Sequence, residues 1–129
     1  NLVKNVQTFQ EAHALEFPLS PHESARLSGV DVDLNDFNLP SKGNLIIEGA
    51  GGLMVPLNDS DLIVDLISKL DAEVVLVSQN YLGSINHTIL SIDALKSKLE
   101  FAKKNKIKTN EVNALGSSSI LYFMNANNG

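Results

Sequence analysis

The sequence predicts an α/β protein in which helices flank a parallel sheet. The first observation is that residues 45–48 and 73–78 include short apolar runs of the kind found in strands covered on both faces. The second is that a segment with helical spacing of apolar residues follows each run. Strands that alternate with helices along a chain form right-handed parallel units, so we expect one such sheet.

Composition narrows the class of protein. The chain has 129 residues, 43% of them hydrophobic, which suits one modest core and one domain at most. It has no cysteine, which excludes disulfides and thiolate metal sites and is compatible with a reducing cytosol. The three histidines are too scattered in sequence to suggest a zinc site. No apolar stretch approaches the ~20 residues that cross a bilayer, so we expect no membrane partner.

Charge gives little support for nucleic-acid binding. The net charge is −5, and acidic residues dominate outside one late segment. That segment is rich in lysine without arginine, which is more typical of a solvated helix face than of a nucleic-acid contact. We therefore expect no nucleic-acid partner. The lysines of this segment are Lys96, Lys98, Lys103, Lys104, Lys106 and Lys108.

The first predicted helix begins after Ser20. Serine can cap a helix, Pro21 suits its first position, and Glu23 can complete a capping box. The helix is expected to run to about Leu27, because Gly29 then breaks the pattern. Residues 30–42 are predicted to be a linking loop that leads into a strand at residues 44–48.

The second helix is predicted to follow Asp59 and Ser60, which can cap it. Its apolar residues fall on one helical face, which is the pattern of a helix packed on a core. These residues are Leu62, Ile63, Leu66, Ile67 and Leu70.

A buried strand at residues 73–78 comes next, and a third helix is expected from residue 84 or 85 to residue 98. Its residues Ile85, Ile89 and Ile92 are spaced to face the sheet. Beyond residue 98 the pattern is less regular, and residues 120–124 are expected to form a further strand.

The most informative stretch is E-G-A-G-G at residues 48–52, directly after the first apolar run. An acid at the carboxyl end of a strand is where an open parallel sheet offers a ligand to a phosphate-bound metal ion. Glycines let a phosphate chain approach the backbone, whose N–H groups are donors. Alternatively, Glu48 is an ordinary loop acid and the glycines only permit a turn. Both interpretations stay open.

A second loop of small residues, L-G-S-I-N at 82–86, opens the third helix. Exposed N–H groups at a helix start can bind an anion such as a carboxylate. Ser84 or Asn86 can instead simply cap that helix. Ser20 has the same two interpretations, because a capping role explains it without a ligand.

Three motifs, in this order, resemble dethiobiotin synthetases: P-L-S-P-H at 18–22, E-G-A-G-G-L-M-V-P-L at 48–57 and L-G-S-I-N-H-T at 82–88. The resemblance covers residues 17–98 and leaves a divergent tail at 99–129. It implies a three-layer P-loop NTPase-like architecture, a single α/β domain incomplete at its amino terminus, a homodimer and a cytoplasmic location. In this family ATP and magnesium drive carboxylation of 7,8-diaminononanoate by carbon dioxide and ring closure to dethiobiotin, a step of biotin biosynthesis.

The resemblance also implies roles for particular residues. Glu48 would hold magnesium. The loop at residues 82–86 of one subunit would hold the carboxylate of the substrate at the dimer interface. The ATP-binding positions would be Glu48, Gly49, Ala50, Gly51 and Asn125. The substrate-binding positions would be Ser20, Gly83, Ser84, Ile85 and Asn86.

Besides its divergent tail, the chain departs from the family in lacking the phosphate-binding loop. It contains no G-x-x-x-x-G-K-[ST], the loop whose backbone and lysine hold phosphates. In the family that loop and the main catalytic lysines would precede Asn1, so we assign no catalytic residue and expect no synthetase activity from this chain alone. The alternatives are a truncated, non-catalytic self-association module and another P-loop ATPase relative, against which residues 82–88 argue.

Overall fold

The computed structural model of the protein describes residues 7–40, 45–99, 108–111 and 121–124. Three α-helices and one short 3-10 helix alternate with four strands along these ranges. The helices are α1 (Pro21–Ser28), α2 (Ile63–Lys69) and α3 (Ser84–Leu99), with the 3-10 helix at Leu34–Asp36. The strands are β1 (Leu45–Glu48), β2 (Val75–Ser78), β3 (Lys108–Glu111) and β4 (Leu121–Met124).

The strands form two pairs. β2 and β3 pair in parallel, with Val75 opposite Lys108, whereas β1 and β4 pair antiparallel, with Leu45 opposite Met124. β4 also lies against β2. The α/β class is as expected, but the described strands do not form one all-parallel sheet. Only residues 112–120 separate β3 from β4, which is shorter than the dozen or more residues that a parallel crossover needs.

Side chains of α2, β2 and α3 contribute to one core, in which α2 packs against α3. The most deeply buried side chains are Val64 and Ile67 of α2, Val74 just before β2, and Leu95 of α3. The apolar face predicted for the second helix is confirmed, because Ile63 and Leu66 are also buried and Leu62 and Leu70 pack against the same cluster. A hydrogen bond from Lys98 Nζ to Asp65 Oδ1 (3.4 Å) joins the two helices at the surface.

Helix α1 has the predicted extent but not the predicted cap. The hydroxyl of Ser20 caps no backbone N–H of the helix and lies instead 3.1 Å from Nδ1 of the His22 side chain. The carboxylate of Glu23 accepts from Arg26 and so does not close a capping box. The carboxyl end follows the prediction, since Gly29 is left-handed (φ 64°) and the N–H of Val30 donates to the carbonyl of Ala25.

Helix α2 begins at Ile63, and neither Asp59 nor Ser60 caps it, so that prediction is wrong. The N–H of Ile63 donates to the carbonyl of Val55 (3.0 Å), and the N–H of Val64 donates to the carbonyl of Leu53 (3.0 Å). The preceding loop therefore satisfies donors that a cap residue would otherwise bind. The helix is followed by Asp71, a left-handed non-glycine residue (φ 48°).

Helix α3 turns a different face inward from the one predicted. Leu95 is fully buried and Ile92 packs against the core, but Ile85 and Ile89 are 77% and 60% exposed. The expectation that both of these isoleucines face the sheet is wrong. The first two turns of α3 therefore leave these apolar side chains in solvent.

Candidate functional site

Glu48 lies at the end of β1, at the point where the strand gives way to the glycine loop. Its side chain is exposed, and none of the ion pairs between described side chains engages it. A free carboxylate at a strand end can bind a cation together with water and phosphate oxygens. The geometry thus leaves the carboxylate available for the role expected of it.

The glycine loop turns sharply at Gly51, whose φ is 83°. A Cβ at this position would lie 3.0 Å from Cγ2 of Val55, closer than a methyl group accepts without movement. Glycine is therefore required here for both its backbone conformation and its size. The sequence left open whether these glycines form a turn or a phosphate-binding loop. The structure shows a turn at Gly51, and Gly49 and Ala50 lie between that turn and Glu48.

The rest of this loop is firmly anchored. Leu53 and Leu57 are 3% exposed, and their carbonyl and N–H groups bond to Val64 and Asp61 respectively. Asn58 is a hub, because its side chain donates to Val32 O (2.8 Å) and to Asp61 Oδ2 (2.9 Å) and accepts from two backbone N–H groups. Sequence reasoning missed Asn58, although the run N-D-S-D at 58–61 is a typical signal for such an Asx turn.

Ser20 lies close to this loop in the fold. The N–H of His22, in the first turn of α1, donates to the carbonyl of Pro56 (3.3 Å). This bond brings the start of α1 against the loop that follows Glu48. Ser20 is partly buried there and bonded to His22, so its hydroxyl is positioned by a neighbour rather than by a cap.

The loop at residues 79–86 is fixed at both ends. Ser78 Oγ, at the end of β2, lies 2.7 Å from Oγ1 of Thr88, and Tyr81 Oη lies 2.7 Å from Nδ1 of His87. Gly83 has a φ of 100°, and Ser84 is 9% exposed. Residues 84–86 begin α3, directly after Gly83. The N–H of Ser84 donates to the carbonyl of Tyr81 (3.0 Å), and the N–H groups that follow it in the first turn have no partner within the helix.

A cavity of about 700 Å³ opens beside Glu48. Glu48, Gly49 and Ala50 form part of its wall, whereas residues 82–86 do not. Most of the wall is apolar: β1 contributes Leu45 and Ile47, and α2 contributes Ile63, Leu66 and Ile67. The cavity is not enclosed, so its apolar wall is accessible to solvent.

The structure thus brings together only part of the predicted site. Ser20 and residues 48–51 share one region, while residues 83–86 lie at the start of α3 and have no described contact with that region. Asn125 lies outside the described residues. Within the described ranges, no cluster of three or more histidine, cysteine or acidic side chains could hold a metal ion. A single carboxylate suits magnesium, which keeps several waters and usually takes one or two protein carboxylates.

The helices and strands define an α/β protein, and sequence comparison identifies the family. The profile described as AAA domain matches residues 1–113, so the chain belongs to that family. Among curated proteins, the ATP-dependent dethiobiotin synthetase of Cytophaga hutchinsonii is 58% identical over 88 residues, which cover 67% of this chain and 43% of that protein. The enzyme of the same name from Christiangramia forsetii is 55% identical over 91 residues, 70% of this chain and 44% of its own length.

These comparisons confirm the resemblance that the three motifs predict. The chain spans less than half the length of the curated relatives it matches. No solved structure matches it significantly. In the ranges that the structure describes, no helix is both long and apolar enough to cross a bilayer.

Proposed function

We propose that this chain carries the magnesium-binding and substrate-carboxylate elements of an ATP-dependent dethiobiotin synthetase acting in biotin biosynthesis. The observation that carries the proposal is the 58% identity to such an enzyme over 88 residues, combined with a free carboxylate, Glu48, at the end of β1. The proposed substrates are 7,8-diaminononanoate, carbon dioxide and ATP, and the proposed location is the cytoplasm. The proposed fold is one α/β domain of P-loop NTPase-like, three-layer architecture.

In this proposal Glu48 is the protein ligand of magnesium, and the loop beside it receives the ATP phosphates. Magnesium supplies charge neutralisation for phosphoryl transfer when it is bound. Gly49, Ala50 and Gly51 keep bulky side chains away from the phosphate chain. Asn125 is the proposed contact to the nucleotide base, by its resemblance to the family pattern.

The substrate carboxylate is proposed to bind at the start of α3, on Asn86 and the backbone of residues 83–85. The N–H groups of a first helical turn favour an anion there. This region lies apart from the Glu48 loop in the chain. A homodimer would bring the α3 start of one subunit to the Glu48 region of its partner, with Ser20 beside the diamine end of the substrate.

A hybrid enzyme tests the proposal. The 88 matched residues of the Cytophaga hutchinsonii synthetase are replaced by those of this chain, and dethiobiotin formation is measured. We expect an active hybrid. Glu48→Gln in the hybrid should lower kcat/KM by roughly 100-fold, the scale on which loss of one charge-stabilising group acts, while Glu23→Gln on α1 should leave it unchanged. A folded hybrid that makes no dethiobiotin would refute the proposal.

A specific observation also favours the second candidate, a self-association module. The side chains of Leu82, Ile85 and Ile89 are largely exposed on one end of α3, and contiguous exposed apolar groups mark interaction surfaces. Sedimentation of the 129-residue chain should show a dimer, and Ile85→Glu should give a monomer. Leu27→Glu, at an exposed apolar position of α1, is the matched control. Dimerisation without activity in the hybrid would favour this candidate over the enzyme.

A further inference from the structure

One wall of the 700 Å³ cavity has no regular secondary structure. Residues 7–16, here named the strap, form neither a helix nor a strand, and they line the cavity together with residues of helix α2. Residues 36–40 continue that wall from the 3-10 helix. The strap residues that line the cavity are Phe9, Gln10, Glu11, Ala12, His13 and Leu15.

Among the described residues, two side chains join the strap to the rest of the protein: Leu15 packs against the core cluster, and His13 contacts the segment around the 3-10 helix. His13 Nε2 lies 3.1 Å from Oδ2 of Asp36, and its ring meets that of Phe37 edge-on at 5.8 Å between centroids. The same Asp36 oxygen accepts from the N–H of Asp33 (3.1 Å), so it is held in place by the 3-10 helix itself. His13 therefore contacts a partner whose position does not depend on the strap.

The 3-10 helix and the strap, which meet at the His13–Asp36 contact, are attached to the rest of the protein at different points. Lys69 of α2 donates to Asn35, which ties the 3-10 helix to the core. At the carboxyl end of the strap, the N–H of Phe17 donates to the fully buried hydroxyl of Ser24 (3.1 Å). Leu15 packs against the core between Phe17 and His13, whereas no helix or strand holds the backbone of residues 7–13. Residues 7–13 can therefore move while Leu15, Phe17 and the 3-10 helix stay in place.

We propose that the strap opens and closes the cavity, with the His13–Asp36 contact as its latch and the Phe17–Ser24 bond as its fixed end. Closed, the strap shields the apolar wall formed by Leu66 and its neighbours. Open, it admits molecules to the cavity beside Glu48. This device is independent of the function proposed above, because it depends only on the contacts of the strap.

Thiol labelling tests the latch, because the chain has no cysteine of its own. Leu66→Cys places the only thiol in the cavity wall under the strap, and its reaction with a disulfide reagent reports opening. We expect His13→Ala to speed labelling by roughly fivefold, the effect of one net hydrogen bond on an opening equilibrium. His13→Gln, which keeps a donor, should restore most of the original rate.

A second thiol separates opening of the strap from loss of stability. Leu95→Cys is buried in the core and does not line the cavity, so its labelling follows unfolding alone. Its rate should not change with His13→Ala. An unchanged Leu66→Cys rate, or an equal increase at both thiols, would overturn the latch. Cleavage of the cysteine-free chain after Glu11 gives a second readout and should be faster in His13→Ala.

Discussion

Ser78 Oγ and Thr88 Oγ1 lie 2.7 Å apart, and this bond joins the end of β2 to the second turn of α3. Both residues are partly buried. The loop between them carries the proposed carboxylate site, so the bond sets where the start of α3 lies relative to the sheet. Tyr81 and His87 make a second bond inside the same loop.

Loss of the Ser78–Thr88 bond should destabilise the protein modestly. Thr88→Val and Ser78→Ala should each lower the free energy of unfolding by about 1 kcal/mol, the net value of one hydrogen bond. The double variant should cost less than the sum, because both changes remove the same bond. Urea unfolding of the four proteins measures this coupling, and strictly additive values would mean that the bond contributes nothing.

Two glycines with positive φ should respond differently to alanine. Gly29→Ala has open space for a methyl group, so it should cost only the left-handed strain, about 1 kcal/mol. Gly51→Ala adds a contact with Val55 at 3.0 Å and should cost more. Thermal unfolding compares the pair. Val55→Ala in the Gly51→Ala background should recover part of the extra loss, and no recovery would refute the steric explanation.

The exposed pair on α1 gives an acid-dependent effect of known sign. Hydrogen bonds from Arg26 hold the pKa of Glu23 below its ordinary value of 4.5. A lowered pKa in the folded state stabilises the protein above pH 4.5, and this contribution is lost as pH falls through the folded value.

Arg26→Gln should therefore raise the pKa of Glu23 toward 4.5 and remove that acid-sensitive contribution. Carbon NMR titration of the Glu23 carboxyl group measures the change. Lys69→Gln removes a positive charge elsewhere and is the control. An identical Glu23 titration in the parent and the Arg26→Gln variant would contradict the assigned cause.

The two faces of α3 should differ sharply in stability. Leu95→Ala removes a fully buried side chain and should cost about 2–5 kcal/mol. Ile89→Ala, at a site that is 60% exposed, should change the free energy of unfolding by less than about 0.5 kcal/mol in the monomer. Denaturant unfolding at low protein concentration measures both. A large loss from Ile89→Ala would place that face in a core after all.

Local signals predicted the limits of α1 and α3 well. Pro21 and Gly29 mark the ends of α1, and the predicted limits of α3 agree with the structure to within a residue. These signals act through nearby backbone, so sequence alone carries them. The caps failed because they depend on more distant groups: the hydroxyl of Ser20 turns to His22, and loop carbonyls bind the first N–H groups of α2.

Strand pairing and the inward face of α3 could not be read from sequence. β1 pairs with β4, which lies far along the chain, and no local pattern encodes the direction of that pairing. Isoleucines at helical spacing predicted a buried stripe of Ile85, Ile89 and Ile92, but of these only Ile92 packs against the core, next to the buried Leu95. For the candidate site, the sequence predicted Glu48 and the glycines that follow it. The contact between His13 and Asp36 could be found only in the structure, because the two residues lie far apart in the chain.

Asp71, the left-handed residue that follows α2, affects the stability of the whole protein. A left-handed conformation is less favourable for aspartate than for glycine, by roughly 1 kcal/mol. In a protein of ordinary marginal stability, that amount changes the unfolded fraction about fivefold. Proteases and chaperones act on this fraction in the cell, so Asp71 bears on how many copies of the protein survive there, whatever chemistry takes place at Glu48.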